Sequence, residues 1–359
     1  MRPRLLNLLR CPQCTGLLSA TPFVQSPSDD EMVDGVLTCA CGSSYPVVST
    51  IPRMLKNAYE LFPSFVDQYR ERLASVPGVR VSEQPQEAFG RLLTRTRESF
   101  GYQWTHFSEM ACDFRQNFFN YLSPATPEFF QGRLGLDAGC GFGRHIFHAA
   151  SCGAEMVGVD CSRAIDSTYR NTKRLPSVYL VQADIYALPF AERTFDFVYS
   201  IGVLHHLPDP PAGVQSLAAL VKRSGTLFIW VYSKRRRITN FLLERLRVVT
   251  AGLPHPVVNS LSFIGASIDQ YGCIIPYRLM KRVPVIGSVV ERLTPQRVKM
   301  YSAYPFQVLH ADWFDRLAAP IRFYYDESEV GELMRNANLS EILVTPTGLY
   351  GWRGRGVKP

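Results

Sequence analysis

Three glycines at alternate positions, in Gly139-Cys140-Gly141-Phe142-Gly143, follow the apolar run Leu134 to Ala138 and precede Arg144 and His145. Without side chains the backbone can turn tightly and come close to a ligand before a helix starts, so the segment reads as a nucleotide-binding turn. A dinucleotide fingerprint would put its third glycine three residues after the second, where this chain has Arg144. Asp160 ends the next apolar run 21 residues after Gly139. A carboxylate at the end of a second strand can accept hydrogen bonds from both ribose hydroxyls, although Asp160 with Cys161 and Ser162 could equally cap the following helix. His205 and His206 supply imidazoles, neutral near pH 7 and suited to taking a proton from an attacking hydroxyl. Cys11-Pro12-Gln13-Cys14 and Cys39-Ala40-Cys41 pair thiols at both ends of a polar loop. That is the pattern of a tetrahedral thiolate metal site in a segment too small to build a core, with one residue fewer than usual in the second pair.

The elements that must position these groups follow from the apolar runs. Leu134–Ala138, Glu155–Asp160, Val178–Gln182, Phe195–Ser200 and Gly225–Tyr232 read as five strands, each separated from the next by a helical stretch, which gives an α/β sheet of the doubly wound kind. Residues 57–125 are rich in aromatics and read as helical. After the fifth strand, Lys234-Arg235-Arg236-Arg237 leads into a basic amphipathic helix and loosely apolar segments run on to about Pro320, an insertion over the carboxyl edge of the sheet. Asp326 then caps a helix to Asn338, and Glu341–Val344 with Tyr350–Arg353 close the sheet as a strand pair.

The motif order resembles class I S-adenosylmethionine-dependent methyltransferases. Asp137 with the glycine triplet resembles their first motif, and Val203-Leu204-His205-His206-Leu207-Pro208-Asp209-Pro210 resembles the "VLHHLPDP" segment of their small-molecule branch. The resemblance covers about 130–232 and implies a Rossmann-like sheet of seven strands. It also implies cofactor contacts at Asp137, Gly139, Gly141, Gly143, Asp160, Cys161, Asp184, Ile185 and Ser200, with Asp184 and Ile185 flanking the adenine. Phe100-Gly101-Tyr102-Gln103-Trp104 resembles a "GYQW" segment that precedes such domains, which implies that Tyr102 and Trp104 fold over the methionine end of the cofactor; an ordinary aromatic core is the other reading. Of the two histidines, His205 is preferred as the group that faces the acceptor. Asp312-Trp313-Phe314 and Pro320–Tyr325 resemble, more loosely, bacterial methyltransferases of polysaccharide and secondary-metabolite pathways. Around the cysteines, Leu9–Pro12, Ser44–Val47 and Ile51–Leu55 resemble the zinc-ribbon family that includes an activator of tRNA and protein methyltransferases. That implies structural zinc on Cys11, Cys14, Cys39 and Cys41. A ribbon that packs without metal, or a disulfide pair, remains open, the latter disfavoured in a reducing compartment.

The expected organisation is a zinc ribbon (1–56), a helical linker or lid region (57–125), the first part of the cofactor domain (126–233), a helical cap (234–321) and the last helix and closing strands (322–359). The expected function is methyl transfer to a small molecule, a sugar or a lipid-linked intermediate, with O-methylation favoured. RNA methylation is the alternative, since a fused ribbon and a net charge of +8 suit a phosphate backbone. Against it, the fourth strand does not end in the Asn/Asp-Pro-Pro-Tyr motif of many amine methyltransferases, and the charge reads as spread through the chain. No Pro-Cys pair follows that strand, which argues against the covalent route of cytosine-C5 enzymes. A non-catalytic cofactor-binding or partner-regulating protein is the third reading. Met1–Arg10 lacks the apolar core of a secretion signal and Leu253–Ile275 is broken by Pro254, Pro256 and Asp269, so no membrane span is expected. The expected location is cytoplasmic, with the arginine cluster of the cap suited to phosphate or to an anionic membrane surface.

Overall fold

The computed structural model describes residues 1–27, 30–79, 91–284, 286–348 and 350–359. Strands β1 (Leu18–Gln25), β2 (Met32–Cys39), β3 (Ser44–Val48) and β4 (Ile51–Pro52) form an N-terminal antiparallel sheet in sequential order. A second sheet holds β5 (Leu134–Ala138), β6 (Glu155–Asp160), β7 (Val178–Gln182), β8 (Phe195–Ile201), β9 (Val221–Tyr232), β10 (Ser340–Thr347) and β11 (Gly351–Val357). Their order is β10-β11-β9-β8-β5-β6-β7.

The five central strands pair in parallel, whereas β11 runs antiparallel between β9 and β10. Parallel strands with helices on both faces are buried on both faces, and β5 accordingly has no exposed residue. The sheet is the expected seven-stranded Rossmann-like one. Strand order reverses between β5 and β8, which opens a crevice beyond their carboxyl ends. The glycine loop follows β5 and the His205-His206 segment follows β8, so both lie at that crevice.

The N-terminal sheet is not a detached appendage. The Met54 amide donates to the Gln182 carbonyl at 2.7 Å and the Arg10 amide to the Pro189 carbonyl at 2.8 Å, which ties the small sheet to the β7 edge of the large one. Leu9, Leu37 and Val47 share one apolar core with Val157, Val181 and Ala183. Arg53 is 2% exposed and pairs with Asp166 at 2.6 Å across this junction.

Residues 57–125 contain short helices at Ala58–Leu61, Pro63–Gln68 and Arg70–Ser75, then Arg91–His106 and Arg115–Leu122, with 80–90 outside the described residues. Between β9 and β10 the chain is helical from Arg237–Thr250 through His255–Asp269 to Phe306–Ala318. Asp326 caps Glu327–Asn336 in a reciprocal box with Glu329, satisfying two orphan amides of the first turn.

Candidate active site

All three glycines of the loop have positive φ: 86° at Gly139, 56° at Gly141 and 92° at Gly143. Their steric reasons differ. A Cβ on Gly139 would lie 2.3 Å from Val203 Cγ2 and one on Gly143 would lie 2.9 Å from Thr168 Cγ2, so these two glycines allow close packing of neighbouring elements. Only Gly141 is held open for a different neighbour, since its Cβ would stop 3.5 Å from the Trp104 indole. The Gly141 amide donates to Asp160 Oδ2 at 3.0 Å, while Oδ1 accepts from the amide and hydroxyl of Ser162 at 2.8 and 2.7 Å. Burial raises the Asp160 pKa and these donors oppose the rise. The carboxylate is thus fixed in orientation with lone pairs left over.

A cavity of about 320 Å³ begins at this loop and extends under the cap. Gly139, Gly141, Asp160, Cys161, Asp184, Ile185, Trp104 and His206 line it, so the crevice brings together eight of the residues expected from sequence. The others stand outside. Asp137 lies beneath the loop with Oδ2 unpartnered, and burial pushes its carboxyl up to about 8. The Ser200 hydroxyl donates to the Ala138 carbonyl at 2.9 Å and ties β8 to β5, away from the cavity. Gly143 starts the helix Arg144–Ser151. Tyr102 corrects the reading of the aromatic helix: it stacks on His106, His255 and Phe314 and lines a separate cleft of about 1020 Å³ beside the N-terminal sheet. The cause is helical spacing, because Phe100, Gln103 and Trp104 share the cavity face and Tyr102 points off it.

The histidine preference is also reversed. His205 is fully buried, stacks 3.9 Å from the Tyr232 ring centroid, leaves both ring nitrogens unpartnered and does not line the cavity. His206 does. Its Nδ1 lies 2.7 Å from the Ile321 carbonyl, which can only accept, so Nδ1 carries the proton and Nε2 keeps its lone pair. Nε2 stands 3.9 Å from Asp315 Oδ1. Burial pushes the His206 pKa down to about 4 against the pull of Asp315. Asp315 is itself kept below the ordinary carboxyl range: burial would raise it, but Arg322, His206 and the Tyr232 hydroxyl, which donates at 2.7 Å, overcome that.

Asp315 and Arg322 line the cavity beside His206 and are not among the residues expected from sequence. They fall just beyond Asp312-Trp313-Phe314 and within Pro320–Tyr325, the two loosely matched stretches, which is the one signal that pointed near them. Deeper under the cap, Arg316 donates to the Tyr301 hydroxyl at 2.8 Å and Arg236 lies 4.6 Å from the Tyr350 ring centroid. Both arginines line the cavity, and neither has a carboxylate within 4.0 Å among the described residues.

The four N-terminal cysteines converge. Their Sγ atoms lie within 4.8 Å of one another, with Cys11 to Cys41 at 3.7 Å and Cys14 to Cys39 at 3.4 Å. Zinc–sulfur bonds of about 2.3 Å in a tetrahedron put sulfurs about 3.8 Å apart, so the set fits zinc, and the short Cys39-Ala40-Cys41 spacing does not prevent closure.

Residues 136–229 match a family described as "Methyltransferase domain". Over that span the chain carries a methyltransferase domain. Among curated proteins it is similar to a ubiquinone biosynthesis O-methyltransferase of Coxiella burnetii, 35% identical over 140 residues, covering 38% of this chain and 59% of the relative. It is also similar to a tRNA U34 carboxymethyltransferase of Pseudoalteromonas translucida, 28% identical over 182 residues, covering 49% of this chain and 56% of the relative. The matches thus span less than two thirds of either relative. A 1,6-didemethyltoxoflavin-N1-methyltransferase structure from Burkholderia thailandensis aligns with a TM-score of 0.43 at 14% identity, over 77% of this chain and 93% of that one. Within the methyltransferase domain the matched span runs from β5 to β9, and the cap and the N-terminal sheet lie outside it.

Proposed function

We propose that the protein transfers a methyl group from S-adenosylmethionine to a hydroxyl of a small-molecule, sugar or lipid-linked biosynthetic intermediate. The observation that carries this reading is the single cavity that joins the glycine loop to the cap, with His206 between them. In it Asp160 would hold the ribose hydroxyls, Asp184 and Ile185 the adenine, and Gly139, Gly141 and Trp104 the methionine side. S-adenosylmethionine supplies a methyl carried on a positively charged sulfur, open to in-line attack.

The remaining work belongs to the chain. Alignment of the acceptor falls to the cap, whose Arg236 and Arg316, without a carboxylate within 4.0 Å among the described residues, suit an anionic or polyhydroxylated molecule. His206 Nε2 takes the hydroxyl proton as the oxygen attacks. The imidazolium formed then stands 3.9 Å from the Asp315 carboxylate, whose negative charge stabilises it. Phe100, with its ring centroid 4.8 Å from that of His206, helps keep water out. The O-methyltransferase among the relatives supports the choice of oxygen. In the same proposal, 1–56 is a structural zinc ribbon on Cys11, Cys14, Cys39 and Cys41, 57–125 and 234–321 close the cavity, and 126–233 with 322–359 bind the cofactor.

The tRNA-modifying relative favours a second reading, RNA methylation. A cavity roofed by the cap and a ribbon engaged with the sheet edge suit it less well. Methyl transfer from radiolabelled S-adenosylmethionine into extract from a strain lacking the gene, fractionated into RNA, protein, lipid and small molecules, separates the readings. Label in lipid or small molecules is expected. Ribonuclease-sensitive label would make RNA the acceptor, and cofactor binding without transfer into any fraction would leave a non-catalytic protein.

A further inference from the structure

The helix Arg237–Thr250 is packed inside out. Its inward side is polar: Arg247 donates to the Arg316 carbonyl at 2.8 Å and to Glu244 at 2.5 Å, the Tyr324 hydroxyl donates to Glu244 at 3.0 Å, and the Thr250 hydroxyl donates to the Leu317 carbonyl at 2.9 Å. Its apolar residues face outward, with Ile238 at 79%, Leu242 at 61% and Val248 at 80% exposure. The next helix, His255–Asp269, repeats the arrangement with small inward residues. Ser262 and Ala266 are buried and Gly265 lies against Trp313, while Leu261, Ile264 and Ile268 are exposed. Both helices lean on Phe306–Ala318 through these inward sides, so both apolar faces point away from it.

The pattern is confined to the cap. Of 22 exposed large apolar side chains among the described residues, 18 lie between Ile238 and Leu293, far more than scattered surface residues explain. Charge is concentrated in the same place. Residues 234–300 hold 12 of the 39 Lys and Arg but only 3 of the 31 Asp and Glu, a net +9 beside +8 for the whole chain. The rest of the protein is near neutral, so the expectation of a spread charge is corrected.

We propose that the outward face of the cap is a docking surface for an anionic lipid bilayer. Aliphatic and aromatic side chains among Arg237, Arg245, Arg282 and Arg292 match the boundary between headgroups and acyl chains, where apolar burial and attraction to negative headgroups act together. No described helix is long and apolar enough to cross a membrane, which leaves the cap lying in the surface. A second copy of the chain is a poor occupant, since a symmetric contact would oppose +9 to +9. RNA would satisfy the arginines and leave the aliphatic face uncovered. The surface stands independently of the proposed reaction, although Asn240 and Leu243, on the inward side of the first helix, line the cavity and would give a lipid-linked acceptor a short path to it.

The test is flotation of the full-length protein with vesicles of phosphatidylcholine alone or with one-third phosphatidylglycerol, at low and high salt. Binding to the anionic vesicles that weakens with salt is expected. Arg237→Gln and Arg245→Gln should each weaken it about fivefold. Leu242→Asp with Ile264→Asp should abolish it while cofactor binding, measured by calorimetry, is retained, which shows that the variant is folded. Absence of vesicle binding by the wild type overturns the proposal. So does sedimentation showing a dimer that the same aspartates dissolve, or a stable complex with an acidic protein that excludes vesicles. Loss of cofactor binding in the wild type would instead defeat the methyltransferase reading and leave the docking result intact.

Discussion

His205 and His206 share a chemistry and differ in environment, and the difference predicts different consequences for the same substitution. His206→Gln removes an imidazole that lines the cavity beside Asp315 and whose Nε2 keeps its lone pair, and should lower kcat by 10²- to 10⁴-fold with cofactor affinity unchanged. His205→Gln changes a ring packed against Tyr232 and should lower thermal stability while most of kcat remains. The pH profile carries the same information. A base works in its neutral form, so the rate falls as pH drops through its pKa. With His206 pushed down to about 4, activity should stay flat from pH 8 to about 5, and a fall centred near 6.5 would mean that another group takes the proton. Asp160→Ala should weaken cofactor binding 10- to 100-fold by calorimetry, as expected for charge-assisted hydrogen bonds to two hydroxyls, and leave the Gly141 amide without its acceptor. The glycine loop and Asp160 were legible in the sequence because both are set by local spacing. The choice between adjacent histidines was not. They sit in one short 3₁₀ turn, where neighbouring side chains diverge by about 120°, and the carboxylate that distinguishes His206 comes from Asp315, more than a hundred residues later.

Among elements, the strands were read correctly because parallel strands carry continuous apolar runs, and the capped last helix because Asp326 and Glu329 mark its start. The docking of the N-terminal sheet was invisible, since it depends on a long-range ion pair. Arg53 is almost wholly buried, whereas Asp166 retains a quarter of its exposure, so the two halves of the pair are not equivalent. Asp166→Asn removes the negative charge that compensates the buried guanidinium, whose other acceptors are the neutral Gln182 Oε1 at 3.2 Å and the Val48 carbonyl at 3.3 Å, and should cost about 3 kcal/mol in urea unfolding. Arg53→Met leaves a carboxylate that water can reach and should cost less. The double variant Arg53→Met with Asp166→Leu should recover much of the loss of Asp166→Asn, because no buried charge is left unpaired. Additive losses would mean that the pair is not what holds the junction.

Across the whole molecule, the continuity of the core decides how metal removal would be felt. Cys11 and Cys39 lie in the same apolar cluster as Leu9, Val157 and Val181, so a ribbon that opens also uncovers the β7 edge of the cofactor-binding sheet. Structural zinc contributes on the order of 10 kcal/mol in small zinc domains, comparable with the entire stability of an average protein, so its loss should melt the ribbon outright. Chelation is therefore expected to do more than free four thiols. Melting followed by circular dichroism should shift downward by on the order of 10 °C as a single transition, and cofactor binding should decline over the same range of chelator concentration in which zinc is released. Equivalent losses from Cys14→Ser and Cys39→Ser would assign the effect to the metal and not to the chelator. Two separate transitions, with the upper one and cofactor affinity unchanged, would show instead that the ribbon melts alone and that the shared core contributes little to the sheet. The distinction matters for the site, because Gln182, which the ribbon grips through Met54 and Arg53, ends the strand next to the one that presents Asp160.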